Sequence, residues 1–313
     1  GGTFVGNWFA TSAASVVNGN CTVKITNGNF EGFGTADFAV TGSGHTSTVD
    51  ISKLPAEVIA GLAPKFSNYT TLITDSGAIS TKVANDVFLY GSFTDSKGTT
   101  IPYRYYLPEG YATSGETYPV FLYMHGNGSR GSDNKSQLTT NGAALNNAVL
   151  NSGYPCIMIA PQCPAAPNEW VDHTKYPGSD AFVADFADGA LENMPYLYAA
   201  MELLNSFIEN KDLPIDTSRI YVTGSSNGGG ATWTMTALHP RVFAAAVPLA
   251  GTGNSTCPVT TSGANALAAR YLDTPIWTFH GDADTTLSIS GTNGLVNAIR
   301  AAGGTKVKYT VIE

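Results

Sequence analysis

The segment that most constrains the fold is a strand-like run that leads directly into a glycine-rich turn and then a helix-like run. Arg219-Ile-Tyr-Val-Thr is rich in β-branched and aromatic residues, Gly224-Ser-Ser226-Asn-Gly228 follows it, and the residues up to Leu238 have helical character. A G-x-S-x-G sequence between a strand and a helix is typical of a nucleophile elbow, in which the serine hydroxyl lies at a helix N-terminus. The pattern favours Ser226 as a nucleophile over a plain glycine–serine turn.

Around this segment, strands and helices alternate along most of the chain. The predicted strands are Pro119–Met124, Cys156–Ala160, Arg219–Val222, Ala244–Leu249, Pro275–Phe279 and Val307–Ile312, after a hairpin whose turn is Asp95-Ser-Lys-Gly. The predicted helices are about 137–151, 194–210, 228–238, 262–271 and 291–302. This alternation predicts an α/β domain, residues 83–313, with a mostly parallel sheet that helices cover on both faces.

The first 82 residues have a different pattern, in which short apolar runs are separated by clusters of Gly, Asn, Ser and Thr. We expect a small all-β domain there, immunoglobulin-like or another β-sandwich, with one helix at Leu54–Leu62. Its aromatic residues are expected to form its core more readily than a sugar-binding surface.

The turn after the strand Pro119–Met124 contains a second motif, His125-Gly-Asn-Gly-Ser129. A turn of this type can present backbone N–H groups to an acyl oxyanion. We predict that the donors are the amides of Asn127 and Asn227, the latter being the residue after the proposed nucleophile. His125 is expected to be structural, because it ends an early strand.

A third motif, His280-Gly-Asp282-Ala-Asp284, follows the strand Pro275–Phe279. An acid at the end of a late strand suits the order nucleophile, acid, histidine, and we prefer Asp284 to Asp282. The spacing also suggests a calcium loop, but that interpretation fails, because Leu287 replaces the glycine and Asn293 the glutamate that such a loop requires.

Together these motifs resemble a known family. Tyr103-Arg-Tyr-Tyr-Leu-Pro-Glu-Gly-Tyr, Ala160-Pro-Gln-Cys-Pro and the three motifs above are similar to the α/β-hydrolase esterases that include polyhydroxybutyrate depolymerase-like enzymes and feruloyl or acetyl xylan esterases. The resemblance implies the α/β-hydrolase fold, Ser226 as nucleophile, Asp284 as acid and the Asn127 and Asn227 amides as the oxyanion hole. It also suggests that Trp170 lines the substrate site, with a loop aromatic that plugs the surface as the alternative.

The sequence departs from this family in its histidines, which are His45, His125, His173, His239 and His280. None follows Asp284, where the family places the base of the triad. We therefore expect the 313 residues to lack the catalytic histidine, which would lie beyond Glu313. His173 would break the usual chain order, so we do not favour it.

The composition indicates in which compartment the protein works and which partners it does not bind. Net charge is −8 with no cluster of Lys and Arg, which argues against nucleic acid, and no apolar run could span a membrane. Charged residues are only 13%, a polar but weakly charged composition that suits a secreted protein. Of the four cysteines, Cys163 and Cys257 both follow strands and are predicted to form a disulfide, whereas Cys156 is expected to be a free thiol.

The sequence thus predicts a serine esterase that acts on a polymeric ester and needs no metal or organic cofactor. Acyl or feruloyl esters of plant polysaccharides are the first candidate substrates, and polyesters such as polyhydroxyalkanoates are the second. A peptidase is a further alternative, because a triad alone does not exclude one. An alternative of another class is an inactive hydrolase fold whose N-terminal domain binds polysaccharide.

Overall fold

The computed structural model describes twelve stretches of the chain: residues 17–18, 21–26, 36–37, 40–41, 47–62, 66–67, 71–74, 77–80, 84–140, 142–171, 194–251 and 267–313. The chain forms two compact units, Gly1–Val83 and Ala84–Glu313. The boundary predicted from the sequence lies between residues 82 and 83. Within the described stretches, no helix is long and apolar enough to cross a membrane.

In the first unit, the described strands are β1 (Val17–Asn18), β2 (Cys21–Lys24), β3 (Ala36–Asp37), β4 (Val40–Thr41), β5 (Ser47–Asp50), β6 (Phe66–Ser67), β7 (Thr71–Thr74) and β8 (Gly77–Ser80). Helix α1, Ala56–Leu62, lies where the sequence predicts it. Four of the strands form a sheet in the order β2-β5-β7-β8. The buried side chains of Val49, Ile51, Leu54, Ile59, Leu62 and Leu72 form its apolar core.

The pairing in this sheet differs from the predicted β-sandwich. Strands β2 and β5 are parallel, as are β5 and β7, and only β7 and β8 form an antiparallel pair. Parallel neighbours need a crossover connection, and α1 lies in the chain between β5 and β7. The alternating residues indicated strands correctly, but they carry no information on which strand lies beside which, so the immunoglobulin-like arrangement is wrong for the described residues.

The second unit contains an eight-stranded sheet. Its strands are β9 (Leu89–Thr94), β10 (Thr100–Tyr106), β11 (Tyr118–Met124), β12 (Ile157–Pro161), β13 (Ile215–Ser225), β14 (Ala245–Leu249), β15 (Ile276–Gly281) and β16 (Val307–Ile312), in the order β16-β15-β14-β13-β11-β12-β10-β9. The six strands from β11 onward are parallel, and β10 is antiparallel to both β12 and β9. The predicted mostly parallel sheet and the hairpin are confirmed.

The described helices of this unit are α2 (Ala84–Val87), α3 (Ser136–Thr139), α4 (Ala143–Leu150), α5 (Pro195–Glu209), α6 (Asn227–Leu238) and α7 (Ile289–Ala301). The helix predicted at 137–151 is therefore two helices. Gly142 lies before the second, and a side chain there would collide with the ring of Tyr123. The helix predicted at 262–271 lies mostly outside the described residues, and its end is a 3-10 turn at Ala269–Tyr271.

The parallel sheet gathers the sequence motifs at one edge. In the strand register, Met124 pairs with Gly224, Ser225 with Leu249, and Leu249 with Phe279. Strands β11, β13, β14 and β15 therefore end at the same level. Since parallel strands present their carboxyl ends at one edge, the motifs that follow β11, β13 and β15 lie along that edge, although long stretches of sequence separate them.

Candidate active site

Ser226 occupies a sharp, strained turn between β13 and α6. Its φ of 58° and ψ of −125° fall in a region that residues with a Cβ rarely adopt. The Ser226 N–H donates to Leu249 O on the next strand (3.0 Å), and its carbonyl accepts from Gly230 N–H in the helix (3.0 Å). These bonds hold a half-buried hydroxyl at the positive end of a 12-residue helix dipole.

Close backbone contacts around the turn explain the glycines of the elbow. A Cβ on Gly228 would overlap Met124 O and lie 2.7 Å from His125 O. A Cβ on Gly224 would lie 2.6 Å from the Gly228 carbonyl carbon. The motif Gly-x-Ser-x-Gly is therefore required by packing of α6 against β11, as well as by the conformation of Ser226.

We expect Gly228→Ala to reduce the free energy of unfolding by about 3 kcal/mol, the upper end of the usual cost of overpacking, because the obstacle is backbone. Urea unfolding followed by tryptophan fluorescence measures the change. The matched control is Gly294→Ala in α7, where an added Cβ meets nothing within 4 Å. The control should gain about 0.5–1 kcal/mol from helix propensity. Equal stability of Gly228→Ala and the unmodified protein would contradict the packing argument.

The His-Gly-Asn-Gly turn lies directly against the elbow. A Cβ on Gly126 would be 3.2 Å from Ser226 Cβ and 3.8 Å from Ser226 Oγ. Asn127 begins a 3-10 turn, Asn127–Ser129, and Asn227 is the first residue of α6. Among the described residues, neither the Asn127 amide nor the Asn227 amide has a hydrogen-bond acceptor. Two free donors beside a serine hydroxyl are the elements of an oxyanion hole.

Asp284 lies in the loop after β15, with its carboxylate held by backbone. Oδ1 accepts from the N–H groups of Thr286 and Leu287, both at 2.9 Å. The Leu287 N–H first, then that of Thr286, lower the pKa of Asp284, so the carboxylate is ionised at neutral pH. Asp282, the alternative acid, is exposed. Its main-chain N–H donates to Ile312 O (3.0 Å).

Ser226 and Asp284 follow strands that are separated by a single strand. These strands are β13 and β15, and β14 lies between them. Neighbouring strands are about 4.8 Å apart, so the two strand ends are roughly 10 Å apart. A side chain above the end of β14 that bonds to both groups would complete a Ser–His–Asp arrangement.

His125 does not supply that ring. It is fully buried, its Nδ1–H donates to Gly126 O (2.7 Å), and its Nε2 accepts from Cys163 N–H (2.9 Å). Burial lowers the pKa of His125 to about 4, so the ring is neutral at neutral pH. Both nitrogens are used by backbone, which is the structural role expected from the sequence.

The other described histidines are also occupied or distant. His239 caps the far end of α6, about 18 Å along the helix axis from its first turn. His280 is buried, its Nε2–H donates to Leu287 O (2.8 Å), and its Nδ1 contacts Thr292 Oγ1 (2.7 Å). His280 Nε2 also lies 3.6 Å from Asp284 Oδ2 and so supports the acid loop. His45 and His173 lie outside the described residues.

Trp170 lies beneath the site rather than on its surface. Its side chain is 1% exposed, and its Nε1–H donates to His125 O (2.9 Å). The indole also packs against the His125 ring, with the ring centroids 5.0 Å apart. This placement favours the alternative interpretation from the sequence, a loop aromatic that plugs the surface, over a residue that contacts the substrate.

Sequence reasoning missed the polar residues that anchor the loop after the oxyanion turn. Gln162 is fully buried, and it accepts from Asn134 N–H (2.7 Å) and donates to Ser129 O (3.1 Å) and Asp133 Oδ1 (2.6 Å). Arg104 is also buried and donates to the carbonyls of Asn85 and Phe88. The available signal was a glutamine or arginine inside an otherwise apolar strand pattern, since buried polar groups are normally paired.

The cysteines follow the sequence prediction only in part. Cys156 is a buried free thiol, as expected. Cys163 is also free and buried, so its predicted disulfide with Cys257 is wrong. Cys257 itself lies outside the described residues. Both cysteines follow strands that end at the same sheet edge, but β11 and β13 lie between β12 and β14. A disulfide requires the two Cα atoms to lie within about 7 Å of each other, and two strands separate β12 from β14.

Comparison with known proteins supports the assignment of the fold. The prolyl oligopeptidase family (Peptidase S9) matches residues 199–276, which include the elbow. A poly(3-hydroxybutyrate) depolymerase from Ralstonia pickettii is 28% identical over 105 residues, which are 33% of this chain and 19% of that protein. The chain thus spans about a fifth of the length of this relative.

Solved structures give a broader match. A structure described as a thermostable esterase is 30% identical, with a TM-score of 0.56, and the match covers 79% of this chain and 62% of that one. A ferulic acid esterase structure is 15% identical, with a TM-score of 0.48, and the match covers 72% of this chain and 90% of that one.

The parallel sheet, the strained serine between β13 and α6, and the acid after β15 define the class. This chain has the α/β-hydrolase fold. Within it, the chain is similar to esterases, on the match with the thermostable esterase and the shorter one with the depolymerase.

Proposed function

We propose that the protein is a serine carboxylic-ester hydrolase, with Ser226 as nucleophile and Asp284 as the acid of the triad. The amides of Asn127 and Asn227 form the oxyanion hole. The observation that carries the proposal is the conformation of Ser226, whose strained φ of 58° aims a half-buried hydroxyl at the helix N-terminus beside Gly126. Such strain persists where the surrounding structure imposes it, and it is concentrated at functional sites.

The reaction has two steps. A histidine takes the proton of Ser226 Oγ as the oxygen attacks the ester carbonyl, and the carbonyl oxygen becomes an oxyanion held by the two amides. The tetrahedral intermediate collapses, and the alcohol leaves with the proton from the imidazolium. Water then attacks the acyl-enzyme in the same way and releases the acid. Asp284 orients the imidazole and stabilises its charged form. The described histidines do not occupy the place of this base.

For the substrate, we propose acyl or feruloyl esters of plant polysaccharides, handled by a secreted enzyme. The family resemblance of the sequence motifs and the low content of charged residues, 13%, support this class and compartment. A polyester depolymerase is the second candidate, and the 28% identity to the poly(3-hydroxybutyrate) depolymerase favours it. The match of residues 199–276 to the prolyl oligopeptidase family makes peptide hydrolysis an outcome to be measured.

A substrate panel tests these proposals on the longest protein that the gene encodes around these 313 residues. The panel contains p-nitrophenyl acetate, methyl ferulate, acetylated xylan, a polyhydroxybutyrate film and a proline p-nitroanilide peptide. We expect turnover of the small esters, with the highest kcat/KM on the feruloyl or xylan ester. Preferred release of acid from the film would establish the depolymerase instead. Peptide cleavage without ester cleavage, or no hydrolysis at all, would overturn the esterase proposal.

A further inference from the structure

Both proposed oxyanion residues hold the same short segment, Asn168–Val171, through their side chains. Asn227 Oδ1 accepts from Trp170 N–H (3.0 Å), and its Nδ2 donates to Val171 O (3.1 Å). On the other side of the site, Asn127 Nδ2 donates to Glu169 Oε1 (2.7 Å). The side-chain amides therefore tie the two residues to one short segment, while their main-chain amides have no acceptor among the described residues.

Further bonds fix this segment to the turn after β11. Arg130 Nη1 donates to Asn168 O (3.0 Å) and to Glu169 Oε1 (3.2 Å), and Arg130 Nε donates to Asn127 O (3.0 Å). The Trp170 indole donates to His125 O. These groups are shielded from water: Asn227 is 2% exposed, Trp170 is 1% exposed, and the Glu169 side chain is 7% exposed. Bonds of this kind are strong in a low-dielectric setting.

We propose that Asn168–Val171 is a positioning segment that sets the separation of the Asn127 and Asn227 amides, and that Asn227 and Glu169 act through it as positioning residues. The proposal rests on the proposed esterase function. An oxyanion hole works only when both donors lie about 2.7–3.1 Å from the developing charge. The pairing of β11 with β13 ends at Met124 and Gly224, before either donor, so no strand-to-strand hydrogen bond reaches the two donors themselves.

The test uses Asn227→Ala, which removes both side-chain bonds and keeps the main-chain amide. With p-nitrophenyl acetate we expect kcat to fall about 10- to 100-fold, the effect of a donor displaced by up to ~1 Å, while KM changes less than about threefold. The affinity for a trifluoromethyl ketone, which forms a hemiketal oxyanion on serine, should fall in parallel with kcat. Glu169→Ala should behave in the same way, and Glu169→Gln, which keeps an oxygen for Asn127 and Arg130, should retain most of the rate.

A double variant separates one shared segment from two independent effects. Because Asn227 anchors one side of the segment and the Glu169 side chain anchors it to Asn127 and Arg130, Asn227→Ala with Glu169→Ala should lose less rate than the product of the single losses. Trp170→Phe keeps an aromatic ring but removes the indole N–H that donates to His125 O, together with part of the ring, so it disturbs the same segment through a different contact if Asn227→Ala fails to fold. The matched control is Asn146→Ala, a fully buried asparagine in α4 that donates to Gly142 O (2.9 Å). It should lose stability without a change in kcat.

The outcomes distinguish this inference from the function on which it rests. If the unmodified protein hydrolyses no ester and a fluorophosphonate does not label Ser226, the proposed function fails. If the protein is active and labelled at Ser226, but kcat stays within about twofold in both Asn227→Ala and Trp170→Phe, the positioning segment is overturned. A double variant whose losses multiply would overturn it as well.

Discussion

We expect Ser226→Ala to reduce ester hydrolysis to background, a loss of about a millionfold in kcat for a nucleophile that acts within a triad. Without the hydroxyl no acyl-enzyme forms, and the oxyanion hole and binding alone contribute only residual catalysis. Folding should be intact, because the hydrogen bonds of Ser226 to Leu249 and Gly230 use its backbone. The measurement is p-nitrophenyl acetate hydrolysis by the longest gene product, with circular dichroism to verify the fold.

The neighbouring residue provides the matched control. Ser225 is the last residue of β13 and pairs with Leu249. Ser225→Ala therefore removes a hydroxyl oxygen from the same motif and leaves the hydroxyl of Ser226 in place. It should keep its rate within about threefold. Mass spectrometry after treatment with a fluorophosphonate should place the label on the Ser226 peptide. A label on Ser225, or a rate of more than a few per cent in Ser226→Ala, would assign the nucleophile elsewhere.

Asp284→Asn should lower kcat by about 10⁴-fold, the loss seen when a triad aspartate becomes an amide. Asp284 Oδ1 accepts hydrogen bonds from two backbone N–H groups, and the amide oxygen of an asparagine can accept the same two bonds. The loop should therefore keep its shape while the negative charge that stabilises an imidazolium is lost. The measurement is kcat and KM on the same ester, and KM should change little.

Asp282→Asn is the control for this prediction, since it makes the same chemical change two residues earlier. Asp282 is exposed, and its bond to Ile312 O is made by the main chain. Activity should stay within about threefold of the unmodified protein, as for most surface substitutions. The reverse result, with Asp282→Asn inactive and Asp284→Asn active, would make Asp282 the acid and reject our assignment.

Local sequence predicted the strands and the longer helices of the second unit well, because their apolar residues are strongly patterned. Buried parallel strands are near-continuous apolar runs, as in Ile157–Pro161, and helices such as Pro195–Glu209 repeat apolar residues at helical spacing. Failures occurred where the pattern was short. In the first unit, strands of two to four residues revealed their type but not their partners, so parallel pairing and the crossover by α1 were missed.

The elbow and the loops around it show a second limit. Trp170 is buried through contacts with His125 and Asn227, residues far from it in the sequence. Nothing in the Pro-Gln-Cys-Pro motif distinguishes a tryptophan that faces substrate from one that faces backbone. The free thiol of Cys163 is a similar case. A disulfide depends on the distance between strands, and the residues around Cys163 and Cys257 do not indicate the order of the strands in the sheet.

The sequence by itself determined that Ser226 follows a strand and begins a helix, because glycines at 224 and 228 and the β-rich run before them allow few other conformations. It also determined that β11 ends at Met124, whereas β15 continues past the predicted Phe279 to Gly281. Only the tertiary structure decided that the ends of β11, β13 and β15 lie along one edge of the sheet, with β14 between β13 and β15, and that the side chains of Asn127 and Asn227 hold one segment. The physical reason is that hydrogen bonds between distant residues depend on the packing of the whole sheet, whereas turns and helix starts depend on a few neighbouring residues.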